Sequence, residues 1–358
     1  MKDPLQQLSA MPRAWQASRG SCVIRSCAED FQVEEELGFI PEGEGEHLFL
    51  QLEKRGLNTS DVIKRLARWA EVAPRDIGYC GLKDKHALTR QWFSIGLAGR
   101  PDPDVAQLVS EQLALLEASR HRRKLRRGSH RRNHFRLTLR QWQGDRQSLE
   151  AVLAQLKQGG VPNYFGEQRF GIDGNNLLAA AQWVRGERRR PARFERGMWL
   201  SALRAWLFNE LLAERVSAGN WAIPQPGDAC MLNGSNSVFS AAEIDAELLQ
   251  RAAAGDLHPG LPLWGLGENL VSGEQQQSQQ QVLAIHSDWL EFLEGKQLHM
   301  AWRPARSGLD DFCWQFCDDE TLVLEFALAP GSFATAVLRE LVDYRDGTGK
   351  GKTFIERP

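Results

Sequence analysis

The segment with the clearest chemical potential in this sequence is a run of three charged residues. Lys83-Asp84-Lys85 places one carboxylate between two ammonium groups. Nearby positive charge favours the ionised form, so we expect Asp84 to be a carboxylate at neutral pH. A desolvated carboxylate can act as a nucleophile or as a general base. A short run of this kind is more often a charged turn with a salt bridge in a loop, and both interpretations stay open on the tripeptide alone.

The elements around the tripeptide would place it where catalytic loops are common. Residues 77–79 before it and residues 91–95 after it have the composition of strands. Asn58 or Thr59 can cap a helix that precedes the first of these strands. Polar loops between strands are frequent positions for catalytic residues.

Apolar periodicity predicts the rest of a mixed α/β chain. We expect strands near residues 23–25, 31–33, 47–52 and 322–328 and helices near 176–184 and 198–216, with one more helix after residue 332. Ser240 and Glu243 form a capping-box signature for a helix that ends near Gly255. The glutamine-rich residues 275–281 predict an exposed helix edge or a loop. Residues 157–162 contain Gly and Pro and indicate a helix end at a domain boundary.

Charge is distributed very unevenly along the chain. The net charge of the 358 residues is only −2, yet residues 120–140 hold ten basic and no acidic side chains. The remainder of the chain therefore carries −12. Unpaired like charges on one surface repel unless a polyanion neutralises them, so this window predicts contact with a phosphate backbone. The near-zero net charge does not exclude RNA, because charge acts locally over a Debye length of about 10 Å.

The predicted RNA-backbone contacts are basic residues of this window and of the charged tripeptide. They are Lys83, Lys85, Arg122, Arg123, Lys124, Arg126, Arg127, Arg131 and Arg132. Phe135, just after the window's densest part, could stack on a base or could be a core residue of its strand, and its spacing with Leu137 and Leu139 favours the core.

Several protein classes are excluded by what the sequence lacks. No stretch approaches the ~20 apolar residues that span a bilayer. The six cysteines form no C-x-x-C pair, and we expect them to be reduced thiols in a cytoplasmic protein. P-loop, dinucleotide-binding, H-E-x-x-H and G-x-S-x-G motifs and an acidic Mg²⁺ cluster are missing as well, so we expect no metal and no cofactor.

Five segments of the chain form an ordered set of motifs. The most specific is GLKDKHALTRQW at residues 81–92. The others are EDFQVE at 29–34, RNHF at 132–135, NYFGEQRFG at 163–171, and PGSFAT at 330–335 followed by LRE at 338–340. Together they resemble the TruD family of tRNA pseudouridine synthases, and residues 81–92 resemble its catalytic motif. One such match would be weak, but five in the same order are specific.

This resemblance implies roles for individual residues. Asp84 matches the catalytic aspartate, and Phe31, Asn133 and Phe333 match residues that line the pocket of the target uridine. Arg25 falls where these enzymes can carry a Lys near the catalytic carboxylate, and an Arg there keeps the charge but alters the hydrogen-bond geometry.

The resemblance also implies a fold and a domain organisation. We expect an α/β (α+β) protein in which a mixed-sheet catalytic domain of the pseudouridine-synthase type, with flanking helices, carries an inserted second α/β domain. The predicted catalytic domain comprises residues 1–158 and 304–358, and the inserted TruD-type domain comprises residues 159–303. Two lobes around a basic cleft would suffice as a monomer.

Two functions are compatible with the sequence. The first, implied by the resemblance, is isomerisation of uridine 13 in the D arm of tRNA by Asp84, which needs no cofactor because the reaction involves no redox change or external acceptor. The second is a non-catalytic RNA-binding protein or RNA chaperone that uses the same arginines. The intact charged tripeptide favours the enzyme, because a pure binder has no use for that carboxylate.

Overall fold

The computed structural model describes residues 3–15 and 20–348 of the chain. Within these residues the chain forms sixteen strands: β1 Gly20–Ile24, β2 Phe31–Leu37, β3 His47–Arg55, β4 Ile77–Tyr79, β5 Leu88–Gly96, β6 Leu113–His121, β7 His130–Gln143, β8 Val161–Pro162, β9 Asp228–Leu232, β10 Val238–Ala241, β11 Leu257–Leu263, β12 Ala301–Pro304, β13 Arg306–Ser307, β14 Asp310–Phe316, β15 Leu322–Leu328 and β16 Val342–Asp346. The same residues form nine α-helices: α1 Pro4–Ala10, α2 Thr59–Trp69, α3 Arg146–Gly159, α4 Asn175–Val184, α5 Arg193–Ser217, α6 Ala246–Ala253, α7 Gly273–Leu283, α8 Ser287–Gly295 and α9 Ala334–Leu341.

The described chain divides into two compact units. The sheet unit comprises residues 20–149, 309–331 and 342–348, and the helical unit comprises residues 3–15, 150–308 and 332–341. The helical unit contains all of the predicted inserted domain, residues 159–303, together with segments from both sides of it. The predicted division into catalytic and inserted domains stays a prediction.

The sheet unit is built on one ten-stranded mixed sheet, which confirms the predicted α/β class. The strand order along its main path is β14-β15-β7-β2-β5-β3-β6, and β1, β4 and β16 pair at its sides. The β2–β5 and β1–β16 pairs are parallel, and the other pairs of this sheet are antiparallel. The predicted strands at 77–79 and 91–95 are β4 and part of β5, so the charged tripeptide lies on the loop between them.

The register of β2 against β7 decides which predicted residues share a face. Phe31 lies opposite Leu137, and Glu35 lies opposite Asn133. Directly paired residues of antiparallel strands point to the same face of the sheet. The inward positions of β2 are the odd-numbered ones, Phe31, Val33 and Glu35, all of which are buried.

An amphipathic helix covers part of this sheet. The Asp61 carboxylate accepts a hydrogen bond from the backbone N–H of Asn58 (3.3 Å), which closes the first turn of α2. Val62 and Leu66 of α2 are fully buried in one apolar cluster with strand residues such as Phe93. The helix predicted to begin at Asn58 or Thr59 is therefore confirmed.

The helical unit has its core on α5. Leu203 and Leu207, two of the apolar positions of the helix predicted near 198–216, are fully buried. Asn209 is the polar exception in this core: its side-chain oxygen accepts the N–H of Phe165 (2.8 Å) and its nitrogen donates to the carbonyl of Phe165 (2.9 Å). These two bonds fasten the segment 163–171 to α5 and satisfy its buried backbone.

One predicted helix start is wrong. Ser240 lies in β10, where it pairs with Ala229 of β9, so its backbone bonds belong to a sheet. The helix that follows is α6, and its N-cap is Asp245, whose carboxylate accepts the N–H of Leu248 (2.8 Å). A capping signature identifies a polar residue able to cap, but here an equally suitable residue five positions later does so. The glutamine-rich segment forms the helix α7.

In residues 3–15 and 20–348, we find no helix with the length and apolar character needed to cross a membrane.

Candidate active site

The loop that carries Asp84, residues 80–87, is fastened at its start by buried polar side chains. The Gln91 amide nitrogen donates to the carbonyl of Gly81 (2.6 Å), and the backbone N–H of Lys83 donates to the hydroxyl of Thr59 (3.0 Å). Thr59 and Gln91 also bond to each other (3.2 Å). The first turn of α2 and the strand β5 therefore hold the irregular backbone of the loop in place.

Lys54 holds the loop at Asp84 itself. Its side chain is only 1% exposed, and its ammonium donates to the backbone carbonyls of Asp84 (3.0 Å) and Leu57 (2.8 Å). Burial lowers the pKa of Lys54 to about 8, and the charge of Lys83 acts in the same direction while Asp84 opposes it. Lys54 is not among the residues predicted for the site. Its spacing from Leu50 and Leu52 places it on the buried face of β3, so the pattern did indicate a lysine that faces the core.

Arg25 meets the carboxylate of Asp84 directly. One guanidinium nitrogen of Arg25 lies 3.0 Å from Asp84 Oδ2, and the other lies 2.9 Å from Asp346 Oδ2. The Arg25 side chain is buried, whereas that of Asp84 is 24% exposed. Burial by itself would raise the pKa of Asp346. The pKa is nevertheless lowered, because Thr348 donates hydrogen bonds to the carboxylate and the charge of Arg25 lies beside it. A planar guanidinium can bridge two carboxylates in this way, which a lysine ammonium does less readily.

Phe31 packs on the other side of Arg25. The guanidinium carbon lies 4.1 Å from the centroid of the Phe31 ring, a cation–π contact. Phe31 meets Phe135 edge-on at 6.3 Å, and Phe135 stacks on Phe326 at 5.4 Å. Phe135 is half-buried within this aromatic cluster, which agrees with the core interpretation more than with a free stacking platform.

Asn133 is buried beside a pair of opposite charges. Its side-chain oxygen accepts a hydrogen bond from the Lys83 ammonium (2.5 Å), and its amide nitrogen lies 3.1 Å from Nε2 of His130. The Lys83 ammonium also lies 3.6 Å from the buried carboxylate of Glu35. The predicted contact of Lys83 with an RNA backbone does not fit this position, because the ammonium points inward and its side chain is only 7% exposed.

Three side chains that can ligate metals meet at the same place. Glu35, Cys80 and His130 are buried, and their ligand atoms lie within 4.8 Å of one another. Burial raises the pKa of the Cys80 thiol to about 12 and lowers that of His130 to about 4. The donor set would suit zinc, but the Lys83 ammonium already supplies positive charge beside Glu35. The expectation that the protein needs no metal stays a prediction.

Phe333, the remaining predicted pocket residue, lies in the helical unit. Its ring meets Phe165 edge-on at 5.9 Å, and the guanidinium carbon of Arg169 lies 5.8 Å from its centroid. The side-chain oxygen of Asn163 accepts a bond from the buried Arg303 (2.5 Å). Two of the segments that resemble the family, residues 163–171 and 330–335, are thus brought together.

Acidic side chains neutralise much of the basic run between residues 120 and 140. Ion pairs join Arg120 to Asp102, Arg122 to Glu44, Arg132 to Glu36, Arg136 to Glu325 and Arg140 to Asp30. The interpretation of this run as unpaired is wrong for these five arginines, since the carboxylates come from distant parts of the sequence. The pairs of Arg122 with Glu44 and of Arg136 with Glu325 are exposed on both sides. Exposed pairs contribute little stability, so these two arginines can exchange their carboxylates for phosphate.

The turn between β6 and β7 holds the least compensated positive charge of this run. Arg123, Lys124, Arg126 and Arg127 are exposed there, and none has an acidic side chain within ion-pair distance in the part of the chain that the structure describes. Arg127 instead donates to the hydroxyl of Tyr79 (2.6 Å). Lys85 and Arg131 are also exposed, and Arg131 lies 3.4 Å from Glu36.

Comparison with known proteins identifies the family. The family model described as "tRNA pseudouridine synthase D (TruD)" matches residues 10–193 and 191–341. This chain belongs to the TruD family. Its matched ranges include every candidate pocket residue from Arg25 to Phe333, which confirms the resemblance seen in the sequence.

Individual members of the TruD family match almost the whole chain. A protein of Methylococcus capsulatus named tRNA pseudouridine synthase D is 45% identical over 321 residues, which cover 90% of this chain and 91% of that protein. Its namesake from Azotobacter vinelandii is 46% identical over 335 residues, covering 93% and 94%.

A solved structure shows the same fold. The putative tRNA pseudouridine synthase D from Methanosarcina mazei aligns with a TM-score of 0.70 and 21% identity, over 97% of this chain and all of that chain. At this level of identity the match supports the TruD fold and nothing finer.

Replacing Lys54 should loosen the loop of Asp84. The Lys54→Met variant has no donor for the carbonyls of Asp84 and Leu57, so we expect amides of residues 80–87 to exchange about tenfold faster, the equivalent of one bond from a charged donor. Hydrogen-exchange mass spectrometry measures this directly. Lys64→Met, which changes an exposed lysine of α2, should leave the loop unchanged, and equal protection in both variants would contradict the anchoring role.

Stability should depend on pH through the same residue. The folded pKa of Lys54 is about 8, whereas an unfolded lysine titrates near 10.4. Between these values the unfolded chain binds more protons, so the free energy of unfolding should rise with pH relative to that of Lys54→Met. Urea unfolding of both proteins from about pH 7.5 to about pH 10 tests this. A difference between them that stays constant over that range would show that Lys54 titrates normally.

Proposed function

We propose that this protein is a tRNA pseudouridine synthase that isomerises uridine 13 in the D arm, with Asp84 as its catalytic residue and with no cofactor. Membership of the TruD family supports the reaction class and the tRNA substrate. The choice of uridine 13 rests on the motif resemblance. The observation that carries the assignment of Asp84 is its setting: a partly exposed carboxylate held by Arg25 on a loop anchored by Lys54.

The reaction needs only what these residues can supply. Isomerisation breaks the N1–C1′ bond, turns the uracil and forms a C5–C1′ bond, while the proton leaves C5 and N1 gains one. Atoms balance without an external acceptor or an electron donor. A carboxylate can serve by attacking the base, by attacking C1′ or by abstracting a ribose proton, and all three routes need Asp84 within reach of the nucleotide.

Arg25 is proposed to hold Asp84 for this task. Its guanidinium is fixed by Asp346 and by the face of Phe31, so it presents a positive charge to Asp84 with little freedom to move. Asp84 Oδ1 in turn accepts the backbone N–H of His86 (3.0 Å). Groups fixed before the substrate arrives need no reorganisation during the reaction, which lowers the barrier.

The target uridine must leave its stack before a protein side chain can reach its glycosidic bond. The Phe31 ring offers aromatic surface for the extruded base, and the Asn133 amide offers hydrogen bonds to its edge. The proposed role of Phe333 rests on the motif resemblance alone. The exposed cations of the turn between β6 and β7 are proposed to bind the tRNA backbone, together with Lys85 and with Arg122, Arg131 and Arg132 once their carboxylates are exchanged for phosphates. A cytoplasmic monomer remains our expectation.

The Asp84→Asn variant should lose its turnover and keep its affinity for tRNA. We expect the rate to fall at least about a thousandfold, because an amide is neither a nucleophile nor a base, while the Kd for tRNA changes less than about threefold. Incubation with unmodified tRNA, chemical adduct formation at pseudouridine and reverse-transcription stops measure the product and its position. Glu117→Gln, an exposed carboxylate of the same unit, is the matched control.

The outcomes of this assay separate the possible functions. A wild-type protein that binds tRNA and leaves it unmodified would support a non-catalytic RNA binder and overturn the enzyme. Full turnover by Asp84→Asn would leave the enzyme standing and remove Asp84 from its centre. Product at a uridine other than 13 would correct the position alone, and tRNA with cytidine at 13 is the substrate control.

The cations of the turn between β6 and β7 should contribute more to tRNA binding than the same number of positive charges elsewhere on the surface. Replacing Arg126 and Arg127 by Ala removes about two phosphate contacts, so the slope of log K against log salt should become shallower by about 1.8. Lys64→Ala with Arg68→Ala changes the net charge equally on the exposed face of α2 and is the control. An equal loss in both double variants would show that only the overall charge matters.

A further inference from the structure

A buried pair of opposite charges lies beneath Asn133. Glu35 of β2 faces Asn133 of β7 in register, so both point to the same face of the sheet. The Glu35 carboxylate, only 1% exposed, lies 3.6 Å from the Lys83 ammonium. Two charges removed from water cost several kcal/mol each unless they compensate one another. Lys83 lies next to Asp84 in the chain, so this pair has been placed immediately beside the proposed catalytic residue.

Burial affects both partners of the pair. It raises the pKa of Glu35, against the opposing charge of Lys83, and it lowers the pKa of Lys83, against the opposing charge of Glu35. The charge of each partner opposes the effect of burial on the other, and loss of one partner would leave an uncompensated charge in the interior.

The charged pair determines the orientation of the Asn133 amide. The Lys83 ammonium only donates, so the Asn133 group 2.5 Å away must be the carbonyl oxygen. The reversed amide would place an NH₂ group against the ammonium, with two donors facing each other. Glu35 thus acts on Asn133 through Lys83, without touching the amide.

His130 fixes the other end of the same amide. Burial, helped by the charge of Lys83, lowers the pKa of His130 to about 4, so the ring is neutral at pH 7. Its Nε2 then accepts a hydrogen bond from the side-chain nitrogen of Asn133, 3.1 Å away, and the ring hydrogen resides on Nδ1. An asparagine amide has two N–H donors and room for two accepted bonds. His130 and Lys83 use one donor and one acceptor position, which leaves one N–H and one lone pair of the oxygen, each with its direction set in advance.

We propose that Glu35 is a positioning residue, which together with Lys83 and His130 orients the Asn133 amide so that its remaining N–H meets a carbonyl oxygen of the extruded uracil. This inference rests on the proposed function, in which Asn133 contacts the base. Glu35 itself touches neither substrate nor reacting atoms. A preset donor favours a base with an acceptor at that edge, because no rotation of the amide can offer a carbonyl instead.

Glu35→Gln tests the proposal with a nearly isosteric change. Without the carboxylate, Lys83 loses the opposite charge that lies 3.6 Å from its side-chain nitrogen. It then no longer holds the Asn133 carbonyl in place, and the amide can turn. We expect kcat/KM for tRNA to fall about tenfold in Glu35→Gln and in Asn133→Ala, and the double variant to be less than about twofold worse than either. Glu34→Gln is the matched control, since Glu34 is the next residue of β2 and forms a partly exposed pair with Arg90 (3.0 Å). Additive losses would indicate general damage to the fold and overturn the proposal.

The preference of the enzyme between modified substrates is a measurement that would not change if Glu35 only stabilised the fold. Sulfur accepts hydrogen bonds more weakly than oxygen, so tRNAs carrying 2-thiouridine or 4-thiouridine at the target should differ from uridine at the carbonyl that Asn133 meets. The wild type should discriminate against one of the two, and Glu35→Gln should lose that discrimination while Glu35→Asp, which keeps the charge, restores part of it. Unchanged discrimination in Glu35→Gln would overturn the role of Glu35.

A second measurement needs no enzymatic activity and therefore separates this inference from the proposed function. In protein labelled with ¹⁵N-asparagine, the Asn133 NH₂ signals can be assigned by their loss in Asn133→Ala. In the wild type we expect their chemical shifts to differ from those of exposed asparagines and their hydrogens to exchange slowly with solvent. In Glu35→Gln we expect both properties to move towards those of exposed asparagines. Signals unaffected by Glu35→Gln would refute the inference even if tRNA is modified.

Elemental analysis covers the remaining alternative, a metal bound by Glu35. One equivalent of zinc in the wild type that is lost in Glu35→Gln would show that Glu35 is a ligand and would overturn the proposal.

Discussion

The sheet unit depends on one constraint: the carboxylate of Asp84 must stay accessible while the cations around it are buried. Arg25 and Lys54 are almost completely enclosed, whereas Asp84 keeps part of its surface exposed. Enclosed charges are costly unless their hydrogen-bonding capacity is used. Two carboxylates, those of Asp84 and Asp346, compensate the charge of Arg25, and two backbone carbonyls accept hydrogen bonds from Lys54.

The sheet topology provides these partners. β1 and β16 run parallel with Ile24 opposite Asp346, so Arg25, the residue after β1, emerges beside that carboxylate. Arg25 adopts a positive φ of 55°, an uncommon conformation outside glycine that turns its side chain away from the strand path. Strain of this type persists where surrounding contacts hold it, as the bonds to Asp84 and Asp346 do here. Two strands more than three hundred residues apart in sequence are therefore needed to position one guanidinium.

Charge is organised differently at the surface and in the interior. On the surface, exposed arginines of the basic run, such as Arg122, Arg131 and Arg136, pair with carboxylates from other parts of the chain, which reduces the repulsion within the run. Such exposed pairs are weak and exchangeable. In the interior, Glu35 and Lys83 are enclosed together, and separating them would be strongly destabilising. The first arrangement suits binding to a polyanion, and the second suits the rigid orientation of Asn133.

The local pattern of the sequence was enough to predict the α/β class, the strands on either side of Asp84, the apolar face of α5 and the family, because periodicity and ordered motifs depend on residues close together in the chain. The tertiary structure alone decided the partners. Asp245 caps α6 although Ser240 offers an earlier start. Lys83 and Lys85 carry the same charge, yet the side chain of Lys83 is buried whereas Lys85 is exposed. The roles of Lys54 and Glu35 follow from which strands lie adjacent in the sheet. Sequence spacing carries no information about adjacency between distant strands, and the burial of a charge depends on the partner that such adjacency supplies.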